Sequence, residues 1–231
     1  MQTVLIYNVY AIDLEIIYNV WRRRVSLGFW IADMAFLMDE IPLRLKEIEN
    51  PTLKITAKTV FKDPETGFYT LPQRSIPVYD LDQINFIRHI FYTEPLWRIM
   101  PAKALTEDEI TVRITHNNIK GKQSLLIEKV GLYGELKKLY MMDESNIPKR
   151  PIQFIIDLER IKTLLVQMVR STYFDQPRLA VEIYRDFIEL YQFTPQPVVL
   201  SEALSFFTSR HKSPKLKREK SSGTYTTFIK A

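Results

Sequence analysis

Hydrophobic residues recur with two different periods in this chain, and this mixture restricts the possible folds more than any other feature of the sequence. Apolar and polar residues alternate over residues 52–60 and again over residues 109–130, which is the period of a half-buried β-strand. Chain reversals at residues 63–67 and 117–122 would complete two β-hairpins. Further along the chain the apolar residues are spaced three and four positions apart, as in an amphipathic helix. The sequence therefore predicts an α+β fold, with two β-hairpins packed with helices.

The helical period predicts two helices that form a C-terminal antiparallel αα-hairpin. The first is expected over residues 152–173, because its apolar residues share one face. The second is expected to be capped by Asp175 and to carry Pro177 in its first turn, where the missing N–H costs no hydrogen bond. We also expect a strand over residues 1–10, helical structure over residues 11–39, a short helix over residues 81–92, and a turn at residues 131–134 before a helix over residues 135–142.

These elements are expected to form one α+β domain followed by an arm. The domain would cover residues 1–208, with a helical part over residues 1–50, a β-rich part over residues 51–150 and the αα-hairpin over residues 151–193. An extended basic arm would cover residues 209–231. A chain of 231 residues is long enough to bury a substantial core in one domain.

The composition excludes several kinds of site. Only six of the 231 residues are glycine, well below the typical share of ~7%. Phosphate-cradling loops need closely spaced glycines. It has no cysteine, which excludes disulfides, thiolate metal sites and thiol nucleophiles. Its three histidines are too far apart in sequence to show a metal-binding spacing. We therefore expect no catalytic residue, no cofactor and no metal site.

A metal-dependent enzyme around Asp80 and Asp82 is one alternative. Two carboxylates after a predicted strand could hold a divalent cation, with Glu94 or residues 107–109 supplying a third ligand. The same carboxylates equally suit the cap of the following helix and a turn. Without a recognisable frame of ligands, the structural interpretation is the stronger of the two.

The basic charge is concentrated at the C-terminal end of the chain. The whole chain has 32 basic and 27 acidic residues, and the last 22 residues hold seven of the basic residues but only one acid. The rest of the chain is thus close to neutral, which argues against a basic nucleic-acid-binding domain. The residues expected to contact phosphates or an acidic partner are Arg210, Lys212, Lys215, Lys217, Arg218 and Lys220. Those expected to anchor the arm are Tyr225, Phe228 and Ile229.

No membrane span or targeting signal is expected. The apolar stretch of residues 25–38 has only 14 residues and contains Asp33, so it is too short to cross a bilayer. The N-terminus lacks the basic region of a signal peptide. These features favour a protein of a virion or of the cytoplasm.

The function that these features favour is that of a non-enzymatic structural or adaptor subunit of a large assembly. A virion or phage neck or connector component that docks through its C-terminal arm is the first expectation, with other protein subunits or further copies of the chain as partners. The alternative is a nucleic-acid-binding or ribonucleoprotein subunit, in which the arm and residues 22–24 contact phosphates.

Overall fold

The computed structural model of the chain forms two compact units whose segments alternate along the sequence. It describes residues 2–54, 61–62, 69–70, 77–91, 98–100, 108–119, 122–144, 154–209, 214–220 and 225–231. Unit 1 comprises Met1–Gly28, Leu43–Leu81 and Thr93–Ile147, and unit 2 comprises Phe29–Pro42, Asp82–Tyr92 and Pro148–Ala231. Because the segments alternate, neither unit is a continuous piece of the chain.

Unit 1 is built on a six-stranded, largely antiparallel sheet. Its strands are β1 (Gln2–Tyr10), β2 (Phe61–Lys62), β3 (Tyr69–Thr70), β4 (Glu109–Ile119), β5 (Lys122–Val130) and β6 (Leu136–Asp143). They lie in the order β2-β3-β1-β4-β5-β6, and only β1 and β3 run parallel. The predicted hairpin over residues 109–130 is confirmed as β4 and β5, and β2 pairs with β3 as an antiparallel hairpin. Together with the helices, this confirms the α+β class.

The core of unit 1 lies on one face of the sheet. Leu5 of β1 is opposite Ile114 of β4, which is in turn opposite Ile127 of β5, so these side chains share a face. All three are buried, with Leu14 and Trp21 of α1 (Ala11–Ser26) in the same cluster. The first helix therefore covers the apolar face that the strand alternation creates.

Unit 2 combines helices with a small antiparallel sheet. Its helices are α2 (Ile31–Met38), α4 (Leu81–Ile90, all but its first residue), α5 (Phe154–Arg170), α6 (Ala180–Tyr191) and α7 (Pro197–Thr208). The remaining helix, α3 (Pro42–Glu49), belongs to unit 1 apart from its first residue. The sheet has the order β7-β9-β8, formed by β7 (Arg178–Leu179), β8 (Leu216–Lys220) and β9 (Thr226–Lys230).

Helix α7 is the central helix of unit 2. Val199, Leu200, Ala203, Leu204 and Phe207 are buried and recur every three or four residues, and α7 packs mainly against α5 and α2. The two helices predicted to form the αα-hairpin are present as α5 and α6, but the main partner of α5 is α7.

Several local predictions were wrong. The helix expected over residues 135–142 is strand β6, because pairing with β5 along its length decides the conformation. The second C-terminal helix begins at Ala180, where Glu182 accepts a hydrogen bond from the Leu179 backbone N–H at 2.8 Å, so Asp175 is not its cap. The strand expected over residues 52–60 is a 3-10 turn at Pro51–Lys54, and its remaining residues lie outside the described ranges.

The buried carboxylate of Asp33 joins two helix ends of unit 2. Its Oδ2 accepts a hydrogen bond from the Trp30 backbone N–H at 2.7 Å, and its Oδ1 accepts one from the Val198 N–H at 3.0 Å. These N–H groups lie at the starts of α2 and α7, where they have no partner within their own helix.

We expect Asp33→Ala to lower the free energy of unfolding by about 2–4 kcal/mol, because it leaves two part-buried N–H groups at helix starts without their acceptor. Urea denaturation followed by circular dichroism measures the loss. Asp82→Ala is the matched control, since Asp82 is an exposed aspartate in the first turn of α4 and should cost about 1 kcal/mol or less. Equal losses in both variants would contradict the role of Asp33.

Candidate functional site

The residues predicted as an extended basic arm form, in their described part, a β-hairpin that is integrated into unit 2. Strands β8 and β9 pair antiparallel, and β9 pairs on its other side with β7. We call β8 and β9 the C-terminal hairpin. Leu216 and Phe228 are buried, which fixes the hairpin on its own unit. The segment therefore folds back, because its apolar residues find cover within the same chain.

The three predicted anchor residues also pack within unit 2. The Tyr225 ring meets Phe86 of α4 edge to face, with the ring centroids 4.8 Å apart. Phe228 is buried beneath the Arg218 guanidinium, which lies 5.8 Å from the ring centroid, and Ile229 is half-buried. The backbone N–H of Thr226 donates to Asp39 at 2.5 Å. These contacts attach the hairpin to two other segments of its unit.

The predicted basic contact residues differ in their exposure. Lys217, Arg218 and Lys220 are exposed on β8, which is the outer strand of the sheet in unit 2. Lys215 is half-buried, and its backbone carbonyl accepts a hydrogen bond from the Ala231 N–H at 3.0 Å. Arg210 and Lys212 lie outside the described residues. The outer strand thus presents basic side chains on both of its faces, with the exposed Glu219 between them, and their contact with a partner stays a prediction.

The arginines at residues 22–24 have different environments in unit 1. Arg24 is completely buried and is held by two carboxylates. Its Nε and Nη2 donate to Glu49 of α3 at 2.9 and 2.5 Å, a two-pronged geometry that fixes the guanidinium plane, and Nη2 also bonds Glu144. Arg24 therefore holds the end of α1 to α3 and to the residue after β6.

Burial and charge oppose each other in this ion cluster. Burial disfavours the charged form of Arg24, but the two carboxylates outweigh that effect and raise its pKa. Burial raises the pKa of Glu49, and the charge of Arg24 opposes the rise. Burial, followed by the charge of Glu49, raises the pKa of Tyr79, whose hydroxyl is hydrogen-bonded to Glu49. Each member of the cluster is thus engaged in an ion pair or a hydrogen bond, and these contacts hold segments of unit 1 together.

Arg22 and Arg23 instead line a cleft of about 240 Å³ in unit 1. With Asn19 and Ser26 they form one face of α1, because positions three, four and seven residues apart on a helix lie together. The opposite wall is formed by Arg98 and Ile99, and Asn19 Nδ2 donates to the Ile99 carbonyl at 3.2 Å. Three arginines thus line one concave site that has room for a phosphate group. Sequence reasoning missed Arg98, since only the fold brings it to α1.

The structure gives Asp80 an ion-pair partner. Its Oδ2 lies 3.2 Å from Nη2 of Arg44, and both side chains are half exposed. Asp82 lies exposed in the first turn of α4. Across the ranges that the structure describes, no group of three or more His, Asp or Glu side chains is placed to hold a metal ion. Glu94 and Glu107 lie outside those ranges, so a metal-dependent activity stays an untested alternative.

The turn between β5 and β6 presents two fully accessible apolar side chains. Leu132 and Tyr133 are 98% and 96% exposed. The turn is fixed by the Glu135 carboxylate, which accepts a hydrogen bond from the Tyr133 N–H at 3.0 Å, and by Gly134, whose φ of 81° favours glycine. A side chain at Gly131 would collide with the Glu135 carboxylate. The turn predicted at residues 131–134 is therefore confirmed, at the tip of a hairpin.

The chain has no match in comparisons with protein-family models, curated proteins and solved structures. Within the part of the chain that the structure describes, no helix combines the length and the apolar character that crossing a membrane requires.

We expect Arg24→Met to lower the free energy of unfolding by about 3–5 kcal/mol, because it leaves the Glu49 carboxylate buried without its cation. Urea denaturation of the variant measures the loss, and Arg24→Met/Glu49→Leu should recover part of it. Arg44→Met is the matched control, since its pair with Asp80 is solvent-exposed and should cost about 1 kcal/mol or less. A loss for Arg24→Met as small as that of the control would contradict this role.

Proposed function

We propose that the chain is a non-enzymatic structural or adaptor subunit of a larger assembly and that it docks through its C-terminal hairpin. The observation that carries the proposal is the division of β8 into a buried and an exposed part. Leu216 is buried in unit 2, whereas Lys217, Arg218 and Lys220 are exposed along the outer strand. The basic residues are thus presented by a rigid element, which reduces the conformational entropy lost on binding.

The chemistry of the hairpin favours an acidic protein partner. Within the described residues, no strand pairs with the outer edge of β8, so an added strand from a partner could continue the sheet. Acidic side chains on that strand would complement the basic residues of β8 and would also steer the two proteins together. Contacts within unit 2 already bury Phe228 and partly bury Tyr225 and Ile229, so the partner is recognised through backbone and charge.

We propose a virion as the setting, for instance its neck or connector, with a cytoplasmic complex as the alternative. The composition supports a scaffold: the chain has many aromatic residues for packing surfaces and few glycines for ligand-binding loops. Its charge supports a docking role, because the excess of basic residues lies at one end of a nearly neutral chain.

We expect the full chain to bind a labelled hexaglutamate peptide in fluorescence anisotropy and Lys217→Glu/Arg218→Glu to lose about tenfold or more in affinity, since two attractive contacts become repulsive. Arg88→Glu/Arg170→Glu is the control, with the same change in charge at two exposed helical positions of unit 2. If both variants lose affinity equally, binding follows net charge and the hairpin is not the docking element. Thermal melting verifies that each variant is folded.

A second candidate function is binding of nucleic acid through the cleft of unit 1. It is favoured by the convergence of Arg22, Arg23 and Arg98 on one concave site. Guanidinium groups bind phosphate oxygens through paired hydrogen bonds, and Asn19 adds an amide to the same wall. The helix dipole offers a competing explanation for the arginines of α1, because basic residues in the last turn of a helix stabilise its C-terminal end.

For this second candidate we expect the affinity for a labelled single-stranded oligonucleotide to fall roughly tenfold to twentyfold between about 50 and 200 mM salt, as three phosphate contacts predict. Arg22→Glu/Arg98→Glu should abolish that binding, whereas Lys217→Glu/Arg218→Glu carries the same change in charge and should retain it. The reverse result would mean that the C-terminal hairpin, and not the cleft, contacts the phosphates. Co-purification of nucleic acid, read from the 260/280 nm absorbance ratio, would favour this candidate over the adaptor.

A further inference from the structure

Two stacked tyrosines lie beside the arginine cleft of unit 1. The ring of Tyr18 in α1 stacks on the ring of Tyr140 in β6, with the ring centroids 4.2 Å apart and the ring planes inclined by 23°. Both side chains are half-buried, so each keeps part of its surface accessible. We call these two residues the tyrosine pair. The pair lies at the boundary between the core of unit 1 and the solvent.

Arg22 connects the tyrosine pair with the cleft. It follows Tyr18 by four residues on α1, so the two side chains lie on the same face of the helix. The central carbon of its guanidinium lies 6.0 Å from the centroid of the Tyr18 ring. Arg22 also lines the cleft together with Arg23 and Arg98. Aromatic rings and guanidinium groups are therefore neighbours on one surface of unit 1.

Tyr140 is the outer ring of this arrangement. Tyr18 has a second aromatic neighbour, because the ring of the buried Trp21 lies 5.8 Å from it at an angle of 25°. Among the described residues, the ring of Tyr18 is the only one that stacks on Tyr140. Since a ring has two faces, Tyr140 can accept a further flat group on the face that Tyr18 does not cover.

The charges on the two sides of the tyrosine pair have opposite signs. Glu15 lies about one turn before Tyr18 on α1, and Arg22 lies about one turn after it. Burial, followed by the charge of Glu15, raises the pKa of Tyr140, so its phenol stays neutral. A phosphate is attracted to the Arg22 side and repelled from the Glu15 side. The neutral rings between them suit a flat, uncharged group that is linked to that phosphate.

We propose that the cleft and the tyrosine pair together bind single-stranded nucleic acid, with a phosphate held by Arg22 and a neighbouring base stacked on Tyr140. Proteins that bind single strands combine a basic groove with aromatic rings in this way, because every unpaired base offers a flat face. The bases of a duplex are already stacked on one another, and unstacking them costs free energy. This proposal rests on the second candidate function and adds a base-binding site to it.

The tyrosine pair also has a structural explanation, because both rings pack against the apolar core of unit 1. If packing were the whole role of Tyr140, loss of its ring would lower the stability of the protein. The affinity for a ligand would then stay unchanged, or would fall equally for ligands with and without bases. The experiment must therefore separate the bases of the strand from its phosphates.

Two probes of equal length make this separation. One is a labelled single strand of about 12 thymidine nucleotides, and the other is an abasic strand with the same phosphates. In fluorescence anisotropy the wild type is expected to bind the thymidine strand about tenfold more tightly, as the stacking of one base on an aromatic ring predicts. Tyr140→Leu should remove this difference and leave the affinity for the abasic strand unchanged.

Two variants serve as controls, and thermal melting verifies that each variant is folded. Tyr140→Phe keeps the ring and should bind both strands like the wild type. Tyr133→Leu is the matched control, because it removes a fully accessible tyrosine of unit 1 in the turn between β5 and β6, and it should also bind like the wild type.

Photochemical cross-linking tests the contact without any variant, so it remains decisive if Tyr140→Leu proves unstable. A strand that carries 5-iodouracil in place of thymine is irradiated in its complex with the wild type. Since the uracil radical attacks aromatic rings in contact with it, peptide mapping should find the cross-link at Tyr140.

Three results would overturn the proposal. Equal affinity of the wild type for the two strands would mean that no base is bound. A tenfold difference that persists in Tyr140→Leu, or a cross-link at another residue, would place the base elsewhere. Equal losses for both strands would leave Tyr140 with a packing role alone. In all three cases the cleft still binds phosphates and the second candidate function stands; if the wild type binds neither strand, that function itself fails.

Discussion

The ion cluster around Arg24 determines much of the surface of unit 1. A guanidinium without solvent exposure requires carboxylates close by, and Glu49 and Glu144 meet that requirement from two different segments. The end of α1 is thereby fixed in rotation. Because successive residues of a helix point in different directions, the inward position of Arg24 places Arg22 and Arg23 where they line the cleft. The same contact holds the residue that follows β6. A buried ion cluster thus positions the arginines that line the cleft.

Unit 2 depends in a comparable way on two aspartates from its N-terminal segment. Asp33 accepts hydrogen bonds at the starts of α2 and α7, and Asp39 accepts one from the first residue of β9. Segments far apart in sequence are connected by carboxylates that satisfy backbone N–H groups. The hydrogen bond from Thr226 to Asp39 holds the backbone of the C-terminal hairpin to the rest of unit 2. The basic residues of β8 are consequently attached at fixed positions of the backbone.

Local periodicity in the sequence was enough to predict β4, β5 and α5, because each has a complete apolar face within one segment. It was not enough for β6, which depends on its pairing with β5, or for the C-terminal hairpin, where β9 pairs with β7 far back in the chain. The cleft shows the same limit. Arg22 and Arg23 stand out in the sequence as a basic cluster. The burial of Arg24 and the position of Arg98 beside α1 depend on contacts between residues far apart in sequence, which no local pattern encodes.

The two outer strands β6 and β8 differ in a way that bears on their partners. Strand β8 carries three basic residues and one acid, so two copies of it side by side would bring excess positive charge together. The acidic partner proposed for the C-terminal hairpin would avoid this repulsion. Strand β6 carries opposite charges at its two ends, but a bulge at Leu139 interrupts the alternation of its side chains. A bulge and lysines on an edge strand both hinder the addition of another strand, so β6 is the better protected of the two edges, whereas the pairing of β8 with β9 is regular along its length.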